Sequence, residues 1–133
     1  MSNRRSTFAI RTKIWIEDDT GKVIFGAGRF RILKAVAEHG SLSAAAKALG
    51  MSYRAVWGKI RATEDRLGQQ LMRKQSGGIR GGGSELTQFA DNLLKSYNKL
   101  QSMTRAKADG FFRDVFEDEL AEKKVRKRHI QQD

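Results

Sequence analysis

The stretch GSLSAAAKALGMSYRAVWGKIRATEDRLG, residues 40–68, decides how this chain folds. Glycines at 40, 50 and 68 interrupt two runs in which apolar residues recur at helical spacing. In the first run Leu42, Ala45, Ala46 and Leu49 share one face of a short helix capped by Ser41 or Ser43. The two small alanines let a neighbouring helix approach closely. Beyond Gly50, Ser52 is placed as the next N-cap, and Val56, Ile60, Thr63 and Leu67 line one face of a longer helix that stops at Gly68. Two helices joined by the short turn GMS form a helix-turn-helix pattern.

Upstream, TKIWIEDDTGKVIF (residues 12–25) predicts a β-hairpin, because the β-rich arms KIWI and KVIF flank the turn-forming cluster EDDTG. The following GAGRFR begins like a dinucleotide fingerprint, but Arg31 occupies the sixth position, where glycine or alanine is required, so it is no cofactor site. From Arg29, the residues Phe30, Leu33, Val36 and Ala37 mark a first helix that ends at EHG, with Gly40 as a left-handed cap.

Downstream, QLMRK and SELT read as short strands around the loop GGIRGGG, and a hairpin beside a helix-turn-helix is a wing. The loop is not a nucleotide cradle. A phosphate-binding loop needs Gly-Lys before its hydroxyl residue and leads into a helix; here Gly83 precedes Ser84 directly, between two strands. From the N-cap candidate Thr87 a long amphipathic helix carries Phe89, Leu93, Leu94, Tyr97 and Leu100 to about residue 103. These residues cover an arc wider than one small domain needs, which predicts a two-fold homodimer joined through them. A further helix is expected to resume after Gly110, with Phe112, Val115, Phe116 and Leu120 on its apolar face. The expected fold is mainly α with a small β component: a winged helix-turn-helix domain over residues 1–104, and a charged helical C-terminal extension over 105–133.

Composition fits that plan. At 133 residues and 39% hydrophobic content the chain supports one small core. A net charge of +11 attracts polyanions, and it is localised: residues 47–80 hold eight basic and two acidic residues, whereas residues 105–133 hold eight and seven. Double-stranded DNA is the expected partner. The chain has no cysteine, and His39 and His129 are too far apart for metal-ligand spacing. No apolar run reaches signal-peptide length or the roughly 20 residues of a membrane span, so a soluble cytoplasmic protein with no membrane partner is expected. No paired catalytic groups occur, and His39 reads as a helix-end residue, so neither enzymatic activity nor a cofactor is expected.

On the second helix of the motif, taking Val56 as core centre puts Arg54, Gly58 and Arg61 on the opposite face, with Trp57 and Lys59 on the two shoulders. Arg54, in the first turn, suits guanine O6 and N7. Gly58 weakens a helix by about 1 kcal/mol relative to alanine, so its place on the groove side suggests a close approach of DNA. Tyr53 suits a phosphate or a thymine methyl, and Trp57 either packs on sugar or closes the core. Ser41, Ser43 and Ser52 combine capping with phosphate contact, while Lys59, Arg73, Lys74 and Arg80 supply affinity without sequence preference. Phosphate contacts alone would instead make an architectural DNA-binding protein with little sequence specificity.

The combination of GSLSAAAKALGMSYRAVW, GGIRGGGSELT and WIEDDTGKVIFGAGR resembles the DNA-binding domain of the ModE-like, molybdate-responsive regulators, and more distantly that of LysR-type regulators. The likeness runs from about residue 13 to 103. It implies a winged helix, a homodimer joined through the long helix after the wing, and operator binding by a transcriptional regulator. The sensors of that group hold molybdate on an additional C-terminal region. This chain ends soon after the dimer helix, so no molybdate or other oxyanion effector is expected on it.

Overall fold

The computed structural model describes residues 7–75 and 83–132. Its elements are β1 (Ile16–Glu17), β2 (Val23–Phe25), α1 (Ala27–His39), α2 (Leu42–Leu49), α3 (Tyr53–Leu67), β3 (Met72–Gln75), β4 (Gly83–Leu86) and α4 (Gln88–Gln132). They divide into a compact unit, Lys13–Lys99, and a second unit that combines the chain up to Thr12 with Leu100–Asp133.

In the first unit β1 and β2 pair antiparallel, Ile16 opposite Phe25. The ladder is shorter than the predicted arms because Asp18 organises a wide turn. Its carboxylate accepts from the Thr20 hydroxyl at 2.6 Å, the Thr20 amide at 2.8 Å and the Lys22 amide at 3.0 Å. Those bonds, that of the Thr20 side chain foremost, hold the Asp18 carboxyl below its ordinary range. α1 starts two residues before the expected Arg29.

The three-helix core follows the sequence pattern closely. Gly40, Gly50 and Gly68 end α1, α2 and α3 with φ of 76°, 66° and 66°, the left-handed region that favours glycine. Of the two candidate caps for α2, Ser41 fills the role, accepting from Ala44 N at 3.1 Å. Ser52 caps α3 by accepting from Ala55 N at 3.0 Å. Phe25, Leu33, Val36, Ala45, Val56, Ile60 and Leu71 are buried together. β3 and β4 form the wing, Met72 opposite Leu86 and Gln75 opposite Gly83. Its return strand is pinned to the end of α1, where Ser84 N donates to Gly40 O at 3.0 Å.

Thr87 caps α4, its hydroxyl accepting from Ala90 N at 3.1 Å and donating to Gln70 O at 2.7 Å. Two expectations for this helix are corrected. No break occurs at Gly110: α4 is continuous, because glycine weakens a helix by only about 1 kcal/mol and no proline follows to stop it. Tyr97, expected on a partner-facing surface, is only 2% exposed. Its ring meets the edge of Phe25 at 5.1 Å and lies 5.2 Å from Phe30, and its hydroxyl donates to Ile14 O at 2.6 Å. The hairpin and α1 therefore occupy it within its own unit. Phe89, Leu93 and Leu94 are half-buried against the same core. In the second unit Leu100, Met103, Phe111, Val115 and Phe116 are exposed, with the rings of Phe112 and Phe116 5.3 Å apart.

Candidate nucleic-acid interface

Burying Val56, Ile60 and Thr63 on one side of α3 dictates what the other side presents. Arg54, Gly58 and Arg61 are exposed in one strip, with Tyr53 50% exposed at its start and Lys59 exposed on one flank. A Cβ added at Gly58 would meet nothing within 4 Å, so the fold itself does not demand glycine there. Trp57 is half-buried against the core, and the Arg61 guanidinium stacks over its ring, 5.5 Å from the centroid. The indole thus packs against the core and also supports the exposed Arg61 guanidinium. Ser52 uses its hydroxyl as the cap of α3, and Ser43 stands exposed in the first turn of α2.

On the wing, Arg73 pairs with Glu85 at 3.3 Å across β3 and β4, with both side chains largely exposed. Such an exposed pair contributes little to stability, and the arginine remains accessible. Lys74 is exposed on the adjacent position. Arg80 and most of the glycine loop lie outside the described residues.

Three further side chains shape this surface without having been singled out from the sequence. Glu64 on α3 accepts from Leu71 N at 2.8 Å and from Met72 N at 3.4 Å, which fixes where the wing leaves the helix. Arg29 Nε donates to Thr63 Oγ1 at 2.7 Å, and the Thr63 hydroxyl, on a residue 1% exposed, donates in turn to Lys59 O at 2.7 Å. Arg66 donates to Val23 O at 2.7 Å. Burial, and then the nearby Arg66 charge, lower the Arg29 guanidinium below its ordinary value. Among the described residues no cluster of three His, Cys, Asp or Glu side chains is arranged to hold a metal ion. No described helix is long and apolar enough to cross a membrane.

A capped helix pair, a recognition-type helix with a basic outer strip and an adjoining two-stranded wing define a winged helix-turn-helix domain. Residues 28–91 match the family described as bacterial regulatory helix-turn-helix protein, lysR family. The crystal structure of the CbnR_DBD–DNA complex superposes with a TM-score of 0.50 at 26% identity, covering 66% of this chain and 95% of that one. The transcriptional regulator ModE of Haemophilus influenzae is 36% identical over 73 residues, which are 55% of this chain and 29% of that protein. The molybdenum-pterin-binding protein MopB of Rhodobacter capsulatus is 35% identical over 77 residues, 58% of this chain and 28% of that protein. The DNA-binding transcriptional dual regulator ModE of Escherichia coli K12 is 32% identical over 81 residues, 61% and 31% respectively. The chain thus spans less than a third of the length of each of these three relatives.

Proposed function

We propose that this chain is a sequence-specific, DNA-binding transcriptional regulator of the ModE and LysR-like type, acting in the cytoplasm as a homodimer. The observation that carries the reading is the outer strip of α3. Arg54 stands in the first turn, where a recognition helix meets base edges, and Arg61 follows two turns later on a Trp57 support. The wing lies beside it, joined to α3 through Glu64, and brings Arg73 and Lys74 toward one strand of the backbone. An architectural binder would need no such ordered base-facing strip, and the relatives named as regulators favour the specific reading.

The dimer is proposed on α4. Phe89, Leu93 and Leu94 keep part of their surface open, and Leu100 is 41% exposed. Met103 is exposed at the end of the stretch expected from the sequence, and Phe111, Val115 and Phe116 extend the exposed apolar side chains of that helix beyond it. Selection of bound duplexes from a random pool tests both parts. An enriched imperfect palindrome, with half-site centres about 34 Å or a multiple of that apart, is expected. A pool that emerges without any enriched sequence contradicts the proposal.

A further inference from the structure

Lys59 and Arg66 are seven residues apart on α3, which places them within about 20° of each other on one shoulder of the helix. Glu64, which holds the wing, projects from the other shoulder, about 160° away from Arg66. A helix lying in the major groove has a phosphate strand on each side. The wing is joined to the Glu64 shoulder, and Lys59 and Arg66 stand on the opposite one.

Arg29 joins that shoulder from α1. One N–H of its guanidinium is tied to Thr63, a buried hydroxyl whose proton is already committed to Lys59 O, while one N–H of Arg66 is tied to Val23 O. Each guanidinium is therefore held by the fold at one edge, and its other N–H groups have no partner among the described residues. Neither has a carboxylate partner among the described residues, and the two are close enough for the charge of one to disfavour that of the other. Beside them lies a shallow, almost wholly apolar cleft lined by Arg29, Lys59, Thr63, Phe25, Ile60 and Leu71. Two like charges held by the fold beside a third present N–H groups of the kind that bind phosphate oxygens.

We propose that Arg29, Arg66 and Lys59 form a second phosphate clamp, gripping phosphodiester oxygens of the DNA strand opposite the wing. The inference rests on the DNA-binding function proposed above. Clamping both strands fixes how deeply α3 enters the groove and adds affinity without reading bases.

The test is a set of anisotropy titrations with the whole chain, using a selected duplex and a scrambled duplex at several salt concentrations. Wild type, Arg29→Gln, Arg66→Gln and Arg66→Lys are compared, with thermal melts to verify folding. Each Gln variant is expected to weaken both duplexes by the same factor and to flatten the slope of log K against log salt by about 1, and Arg66→Lys to restore most of that slope. Unchanged affinity and slope in folded Gln variants overturn the clamp. So does a loss confined to the selected duplex, which marks base reading instead. Should Arg29→Gln unfold, the exposed Arg66 decides alone. Wild type that binds neither duplex defeats the underlying DNA-binding reading rather than the clamp.

Discussion

Arg54 and Lys74 are both exposed cations, yet they are expected to behave differently when removed. Arg54→Ala should weaken a selected site by about 1–3 kcal/mol and relax preference at one base pair, whereas Lys74→Ala should weaken all duplexes alike. Titration against single-base variants of the site separates the two, and a uniform loss for both removes Arg54 from base reading. Tyr97 is expected to act on stability instead. Tyr97→Phe leaves Ile14 O without its donor and should lower stability by about 1 kcal/mol in a denaturant melt. Burial raises the phenol's pKa above 10.0, so its contribution is fully present below about pH 10 and is lost as pH rises through the higher folded value. Stability that stays flat through that range contradicts the burial argument. Caps such as Ser52 and Gly50 were legible because their signal is local, a hydroxyl three residues before an amide or a glycine that must turn left-handed. The bonds Arg29–Thr63, Arg66–Val23 and Tyr97–Ile14 join residues 34, 43 and 83 positions apart, and no local pattern in the chain announces them.

Among the elements, the wing depends on α3 through one carboxylate. Replacing Glu64 by Ala leaves the amide of Leu71, a residue 1% exposed, without its acceptor, a change that should lower stability by about 1–3 kcal/mol. Glu64→Gln keeps an acceptor oxygen and should recover much of that loss; equal destabilisation by both variants would show that the hydrogen bond does not govern wing placement. The order and type of the first unit's elements were readable because apolar period, turn residues and glycine stops agree with one another from β2 to β4. The hairpin came out shorter than its apolar arms suggested, since the Asp18 turn takes backbone groups that a longer ladder would use. In α4 the glycine at 110 was overread as a stop, although a helix with favourable residues on both sides carries one glycine through.

At the scale of the whole molecule, the exposed apolar residues of α4 make self-association the expected state. Sedimentation at micromolar concentration should give a species of twice 15.0 kDa, and Leu100→Glu with Phe111→Glu should give folded monomers that bind a half-site weakly. A wild type sedimenting near 15.0 kDa would remove the dimer while leaving the winged helix intact. The two units share α4, and a continuous amphipathic helix carries no composition change at the point where its surroundings change. The localised basic charge, by contrast, was visible as a count, and the fold gathers much of it on α3 and the wing. Whether that surface reads sequence is the central claim, and competition of a scrambled duplex against a selected one for the wild-type chain, at near-physiological salt, tests it most directly. Preference for the selected duplex by at least about 10³-fold is predicted; equal competition by the two duplexes would contradict it.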